Sequence, residues 1–262
     1  MRSQWKGTLG FGMVSIPVKL YGSVSKKSET TLATLHAECG TRIKMPKYCP
    51  QCEAMLEAGE LAKAYEIGKD QYIPLTEDEL ASLPLPSIQT VAIEHFIRTE
   101  DLPDERWYKD TYFLAPEKAG EKAFVLFMKA MEDEEVAGIA KIAIRGREHL
   151  CAVTPFNGVL MLETLYWADE IRDYEELKVN AQVSEKEMEM AKSLISAMTG
   201  EPRFEEYTDG YKEALLELVN AKIAGKTIEP TKPTRAKEAD LAEVLLASLK
   251  AVKPEPEAIS VN

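Results

Sequence analysis

The sequence predicts a mixed fold, with an antiparallel β-barrel or sandwich core followed by a helical C-terminal arm. Short runs of β-forming residues, separated by tight-turn signals, recur up to about residue 166. After about residue 183, apolar residues recur with the helical period instead. Many short strands joined by tight turns are typical of barrels and sandwiches, so we expect the β region to form the core.

The first strands are followed by a segment of different character. Residues 8–21 are rich in β-forming residues and contain Pro17, which predicts a strand with a bulge or a sharp bend. Residues 36–60 are turn-rich and hold three of the four cysteines. We expect this segment to form no packed core of its own and to be part of an excursion from the β core at about 25–65.

The later strands are separated by recognisable turns. Gly146 lies between two arginines, and Asn157 precedes a glycine; both are hairpin signals. The predicted strands are 88–98, 110–114, 136–145, 148–153 and 158–166, with a helical stretch at about 120–131.

Capping residues mark where the other helices begin. Thr76 with Glu79 predicts a short helix, and Ser184 with Glu187 predicts a longer one. Asp209 can cap a further helix. The predicted divisions are a core at 1–183, a helical arm at 184–225, a Pro- and Lys-containing linker at 226–238, and a short helix with a polar tail at 239–262.

Charge is distributed unevenly along the chain. The 262 residues carry a formal net charge of −12, yet residues 1–52 carry eight Lys or Arg against two Glu. A basic N-terminal part on an acidic body suggests a localised site for polyanions, whereas a pI near 5.0 argues against indiscriminate coating of nucleic acid. A chance distribution of surface lysines is the alternative.

Nothing in the sequence predicts export or a membrane span. No run of 18 apolar residues is present, and the first residues lack a continuous apolar region. Four cysteines in a chain of this length do not make a disulfide scaffold. We therefore expect a cytoplasmic protein.

The sharpest local pattern pairs a histidine with three cysteines. His36, Cys39, Cys49 and Cys52 follow the spacing HxxC-x9-CxxC. Two such pairs can each form one knuckle and together give Zn²⁺ a tetrahedral Cys₃His shell. With all four positions filled by protein, the metal would be structural. Unligated thiols in a reducing cytoplasm are the alternative.

Motifs for catalysis are missing. The sequence contains no phosphate-binding loop, nucleophile elbow, HExxH or dinucleotide fingerprint. Cys151 lies in an apolar strand and is expected in the core, and His95 and His149 are expected to be packed or surface residues. We therefore expect a protein that is not an enzyme.

Basic residues close to the cysteine pairs are the candidates for phosphate contacts. We expect Arg42, Lys44 and Lys47 to make them, and after these Lys26 and Lys27. No recognition helix with base-reading residues is evident, so backbone and shape would be read. A solvated loop without a partner is the alternative.

Several sequence blocks together resemble the prokaryotic Ku family, the homodimeric DNA-end-binding proteins of non-homologous end joining. The blocks are WKGTLGFGMVSIPVKLY, LHAECGTRI followed by CPQC, YEIGKDQYIPLTEDEL, GIAKIAIRGREHLCAVTPFNGVLMLETLYWADEIR and DLAEVLLASLKA. They occur in the order found in the family, from residue 5 to about 251.

The resemblance implies a β-barrel, a bridging arch that leaves it, and a helical arm that builds a ring-shaped homodimer. Two bridges would encircle duplex DNA, so a free end would be needed for threading and no base sequence would be read. The protein would be associated with the nucleoid. The final VKPEPEAISVN departs from the Lys-rich tail of many members.

The resemblance also implies a repair partner. This would be an ATP-dependent DNA ligase of the ligase D type, or separate ligase, polymerase and nuclease modules. Its docking site would be the short terminal helix, whose apolar stripe suits helix-in-groove binding. The stripe consists of Leu241, Val244, Leu245 and Leu249. A helix folded back on its own body is the alternative.

Two functions of other classes stay open. The first is a zinc-knuckle adaptor whose acidic body binds proteins and whose basic residues are incidental. The second is a hydrolase with a site in a barrel mouth, for which the sequence offers no named residues.

Overall fold

The computed structural model describes residues 1–25, 31–83, 86–226, 244–245 and 248. Its strands are β1 (Trp5–Phe11), β2 (Val14–Gly22), β3 (Lys47–Cys49), β4 (Ala54–Leu56), β5 (Lys63–Gly68), β6 (Gln71–Leu75), β7 (Thr90–Arg98), β8 (Tyr108–Pro116), β9 (Val136–Ile144), β10 (Arg147–Phe156) and β11 (Val159–Leu165). Its helices are α1 (Glu77–Ala81), α2 (Glu121–Asp133), α3 (Glu185–Met198) and α4 (Gly210–Ile223).

Seven of these strands close into a barrel in the order β1-β2-β8-β11-β10-β9-β7. The predicted β-barrel with helices is therefore confirmed. One pairing differs from the antiparallel prediction, because β7 runs parallel to β1 along Thr8–Gly10 and Thr90–Ala92. A closed ring with an odd number of strands cannot alternate direction throughout, so one parallel seam is a geometric necessity.

The barrel interior is filled by alternating apolar residues and is covered by a helix. Inward-facing side chains of the strands are fully buried, and α2 adds Phe124, Phe127, Met128 and Met131 to the same cluster. The Phe127 ring stacks on Phe11 with centroids 4.4 Å apart. The fully buried strand residues of this cluster are Leu9, Ile16, Val18, Leu20, Val91, Leu114, Ala140, Ile142, Cys151, Val153, Leu160 and Leu162. Close packing of this kind makes the barrel a rigid platform.

Residues 8–21, which were predicted to be one bent strand, belong to a hairpin in the structure. β1 and β2 pair along their whole length, with Phe11 opposite Val14. Gly12 has a φ of +55° in the turn between them, a conformation that glycine adopts without a steric cost. Residues 8–21 therefore bend by a complete reversal of direction rather than by a bulge.

The β9–β10 and β10–β11 connections are both two-residue turns. Arg145 and Gly146 have φ values of 54° and 78°, and Asn157 and Gly158 have values of 47° and 81°. Positive φ at both central residues is the type I′ geometry that matches the twist of a hairpin. Both predicted hairpin turns are confirmed.

The predicted helix caps are also present. The side chains of Thr76 and Ser184 accept hydrogen bonds from the amides of Glu79 and Glu187, and the carboxylates of these glutamates accept hydrogen bonds from the amides of Thr76 and Ser184. Asp209 caps α4 through the Lys212 amide. The N-terminal polar residues thus fix where the three helices begin.

The chain divides into two compact units, Met1–Asp173 and Tyr174–Asn262. Within the second unit, α3 and α4 bury no residue. Most of the predicted linker at 226–238 lies outside the described residues. Of the predicted terminal helix, only Val244, Leu245 and Ser248 are described.

The chain between β2 and β7 forms no part of the barrel, and we call residues 23–89 the excursion. It contains the β3–β4 and β5–β6 hairpins and α1. The sequence predicted a shorter segment, at about 25–65. The observed excursion is longer because β5 and β6 pair only with each other and are not strands of the barrel. Composition alone cannot distinguish these two kinds of pairing.

Candidate nucleic-acid interface and metal ligands

Both ends of the excursion, which we call its departing and returning feet, are attached to the same end of the barrel. At the departing foot, the amide and the hydroxyl of Ser23 donate to the Thr111 carbonyl oxygen, at 3.3 and 2.8 Å. At the returning foot, the hydroxyl of Ser87 donates to Glu148 Oε1 at 2.5 Å, and the Thr8 amide donates to the carbonyl oxygen of residue 89 at 2.9 Å. The excursion therefore leaves and returns at the end where β8 and β10 begin.

The excursion has no hydrophobic core in its described part. From residue 31 to residue 80 no side chain is buried. Apolar side chains such as Met45, Tyr65 and Ile67 are 91, 65 and 59% exposed. Local hairpins and turns therefore hold the shape of this segment, and its apolar surface is left open.

The first predicted pair of metal ligands is held in a tight turn. Leu35 and Arg42 form an antiparallel bridge, and the His36 amide donates to the carbonyl oxygen of Thr41 at 2.9 Å. This turn places His36 Nδ1 3.0 Å from the Sγ of Cys39. Hydrogen bonds from the Thr41 side chain and then from His36 lower the pKa of Cys39 to about 7. Thiolate is the form of cysteine that binds metal.

The second pair lies in the β3–β4 hairpin. Cys49 ends β3 opposite Ala54, and Cys52 occupies the turn between the strands. Hydrogen bonds from the Cys52 amide, from the Gln51 amide and from the Cys52 thiol lower the pKa of Cys49. The same contact raises the pKa of Cys52.

The structure brings together the two members of each pair but does not bring the pairs into one cluster. Among the described residues, no group of three or more His, Cys, Asp or Glu side chains is arranged to hold a metal ion. The donor set itself, three thiols and one imidazole on two hairpin turns, has the chemistry that structural Zn²⁺ prefers. The four-ligand zinc site stays a prediction.

Three of the predicted phosphate-binding residues carry uncompensated charge. Arg42, Lys44 and Lys47 are exposed, and none forms an ion pair with a described residue. By contrast, Lys6 and Lys19 on the barrel both bind Glu117, at 3.1 and 3.3 Å. Three cations without an ion pair to a described residue thus lie close together in the sequence of the excursion, between residues 42 and 47. Lys26 and Lys27 lie outside the described residues.

The residues predicted to bind a repair partner are described only in part. Val244 is 46% exposed and Leu245 is half-buried. Leu241 and Leu249 lie outside the described residues.

The isolated cysteine and the histidines of the barrel have separate surroundings. Cys151 is fully buried, its thiol donates to the Ala140 carbonyl oxygen at 3.3 Å, and burial raises its pKa strongly. The predicted core role of Cys151 is confirmed. His95 is exposed. Burial, followed by the charge of Lys109, lowers the pKa of His149.

The residues that anchor the excursion were missed by sequence reasoning. Ser87 is 1% exposed and binds Glu148, but a serine just before a strand gives no signal of burial. The candidate metal ligands, in contrast, could be identified from the sequence, because their HxxC and CxxC spacings are those of metal-binding turns. A hydrogen bond between distant segments has no such local pattern.

Helices that could cross a lipid bilayer are not found in the described part of the chain. The described helices have at most 14 residues, as in α3 and α4. A span across the hydrocarbon core needs about 20 apolar residues.

Comparison with known proteins places this architecture in a family. Residues 10–190 match the Ku70/Ku80 beta-barrel domain. A protein of Archaeoglobus fulgidus, named "Non-homologous end joining protein Ku", is 39% identical over 97% of this chain and 100% of its own length. Proteins with the same name from Symbiobacterium thermophilum and Bacillus subtilis are 39 and 33% identical over 97 and 95% of this chain and 64 and 82% of their own lengths. With this domain match and these relatives, the chain belongs to the Ku family.

Proposed function

We propose that this protein is a homodimeric ring that binds the ends of double-stranded DNA without sequence specificity in non-homologous end joining. The observation that carries the proposal is the excursion, which is attached by both feet to one end of the barrel and exposes unpaired cations. A segment that is attached at both ends in this way can enclose a rod-shaped polyanion such as duplex DNA. The shared name of the relatives supports the same function.

The lack of a recognition helix in the described part of the excursion supports binding without sequence specificity. Its described part has hairpins and the five-residue α1, but no helix of the length that usually enters a major groove. Exposed lysine and arginine side chains bind phosphates, which are the same for every sequence. Because the whole chain has a net charge of −12, DNA would be attracted only where the cations are concentrated.

The helical arm supports homodimer formation. In α3 and α4 no residue is buried, although a stable helix pair normally buries an apolar face. Ile195, Met198 and Ile223 are 65, 69 and 81% exposed. Apolar surface of this extent is typical of an obligate interface, which a second copy of the chain would supply.

The recruited partner would be an ATP-dependent DNA ligase of the ligase D type, or separate ligase, polymerase and nuclease modules. The family resemblance and the apolar stripe of the terminal segment support this part of the proposal. In this role the protein is a scaffold rather than a catalyst, and it acts in the cytoplasm at the nucleoid.

A structural zinc ion in the excursion is part of the proposal. His36 and Cys39 on one turn and Cys49 and Cys52 on the other would hold it, and their donor atoms suit a tetrahedral site. When bound, the metal would join the two turns and so replace the missing core of this segment.

A comparison of linear and closed DNA tests the ring. We expect the protein to bind a linear duplex, and we expect covalently closed circles of the same sequence not to compete, because threading needs a free end. The measurement is a mobility shift at two salt concentrations. Equal competition by circles would show side-on binding, and failure to bind either DNA would favour the adaptor function.

Charge removal tests the excursion cations. The triple change Arg42→Gln, Lys44→Gln and Lys47→Gln should weaken binding to linear duplex and make the log–log salt dependence less steep by about 5, since the homodimer carries two copies of each residue and each lost phosphate contact contributes about 0.9. Titrations at several salt concentrations measure this slope. The matched control neutralises the exposed residues Lys118, Lys122 and Lys129 at and near α2 and should change little. An unchanged slope in the first variant would contradict the assignment.

Metal analysis tests the zinc site. Freshly purified protein should contain one zinc ion per chain, and Cys49→Ser should lower the content because it removes one of four ligands. Cys151→Ala is the control and should keep its zinc, since this thiol is buried in the barrel. Chelation should make the excursion sensitive to protease while the barrel stays folded. Protein without zinc would contradict the proposal.

Introducing charged residues into the apolar surface of the helical arm tests whether this surface forms the homodimer interface. Ile195→Asp with Ile223→Asp should weaken self-association by at least about 100-fold, because each large apolar side chain contributes about 1.5–3 kcal/mol when buried. Sedimentation equilibrium measures the change. Leu126→Asp on α2, 70% exposed, is the control. A variant that stays dimeric at the same concentration would rule out this surface as the interface.

A further inference from the structure

A cavity of about 550 Å³ opens at the end of the barrel opposite the excursion. It lies between the end of β7, the end of α2, the start of β9 and the end of β10. β7 begins at the returning foot and pairs with the start of β9 at its far end, so the cavity and the feet lie at opposite ends of the barrel. Cavities of this volume are large enough for a small molecule or for a side chain of a partner.

The buried part of the cavity combines apolar surface with one hydroxyl group. Met131 and Thr154 are 2 and 8% exposed. Val136 and Pro155, which line the same cavity, are half-buried. A surface of this composition can contact the apolar body of a ligand and form one hydrogen bond with a polar tip.

The Thr154 hydroxyl has no hydrogen-bond partner among the described residues. The other buried polar side chains of the described part are paired: Ser87 donates to Glu148 Oε1 at 2.5 Å, and Thr164 donates to the Asp110 carbonyl oxygen at 3.2 Å. Buried hydroxyl groups are normally paired, because an unpaired one loses its hydrogen bond to water without a replacement. No described polar side-chain atom that is sealed from solvent lacks a partner, so the Thr154 hydroxyl is open to the cavity.

Unpaired carboxylates surround the mouth of the cavity. Glu100, Glu132 and Glu135 are exposed, and none of them forms an ion pair with a described residue, although Arg98 lines the same cavity. The residues at 132–135 are all acidic, which adds to the negative charge. Carboxylates in this arrangement attract cationic groups and repel phosphates.

Hydrogen bonds join the two chain segments that carry these carboxylates. The carbonyl oxygen of Glu135 accepts from the amide and the hydroxyl of Thr99, at 2.9 and 3.0 Å. Glu100 follows Thr99 directly, and Glu132 lies in the last turn of α2. The mouth of the cavity is therefore formed before a ligand arrives, and binding to a preformed site loses less conformational entropy.

We propose that this cavity binds a basic segment of a partner protein. A tyrosine of the segment enters the cavity, packs on its apolar surface and forms a hydrogen bond with Thr154. Flanking arginine residues pair with Glu100, Glu132 and Glu135. Tyrosine and arginine are among the residues that contribute most to binding at protein interfaces. The inference goes beyond the proposed function and does not depend on it, because this binding needs no DNA.

The hydrogen bond is tested with a short fluorescein-labelled peptide that has a central tyrosine flanked on both sides by arginines. Fluorescence anisotropy measures its affinity for the full chain. Thr154→Val should weaken binding about 5-fold, because one hydrogen bond is lost. A peptide with phenylalanine in place of tyrosine should bind the wild-type protein about 5-fold more weakly, yet bind the Thr154→Val variant no more weakly than the tyrosine peptide does.

The carboxylates are tested by the triple change Glu100→Gln, Glu132→Gln and Glu135→Gln. It should weaken peptide binding about 10-fold and reduce its salt dependence, because three ion pairs are lost. The matched control changes the charge equally on the excursion, through Glu38→Gln, Glu53→Gln and Glu66→Gln, all exposed, and should have little effect. Urea unfolding should show the same midpoint for the wild-type protein and every variant.

Equal weakening by the two triple changes would show non-specific attraction to an acidic protein and would overturn the inference. An affinity that Thr154→Val and the cavity triple change leave unaltered would also overturn it, as would a wild-type protein that does not bind the peptide. Spermidine is the competitor for a site that takes small cations, and displacement as effective as by unlabelled peptide would rule out a protein segment as the specific occupant. None of these measurements contains DNA, so each contrary result leaves the proposed function standing.

Discussion

The parallel seam between β1 and β7 determines the geometry of the whole N-terminal unit. β2 runs antiparallel to β1 and ends where β1 begins, and β7, parallel to β1, also begins at that end. The chain between β2 and β7 must therefore leave and return at one end of the barrel. If the seam were antiparallel, the same segment would have to run from one end of the barrel to the other. The excursion is attached at a single end of the barrel because β7 pairs in parallel with β1.

The structure divides into a part that is stable through its own packing and parts that need partners. The barrel buries an apolar interior from all seven strands and from α2. The excursion and the helical arm, in contrast, bury no described residue between 31 and 80 or in α3 and α4. In the proposed function, a zinc ion, duplex DNA and a second copy of the chain would cover these surfaces.

Local signals predicted the elements well, and non-local contacts account for what was missed. The turn pairs at 145–146 and 157–158 and the capping boxes of α1 and α3 are properties of a few adjacent residues, and the structure confirms them. Residues 8–21 were read as one bent strand because the pattern of β-formers does not reveal a reversal of direction. The length of the excursion was underestimated for a similar reason, since β5 and β6 pair only with each other.

The sequence by itself determined the composition of the site: the HxxC and CxxC spacings, the basic character of the first 52 residues, and the family resemblance. These depend on residue types at short separations, which a linear pattern records. Only the tertiary structure decided which cations stay unpaired and where both ends of the excursion attach to the barrel. Such relations arise from strand register, which brings residues far apart in the chain to one end of the barrel and cannot be read from local preferences.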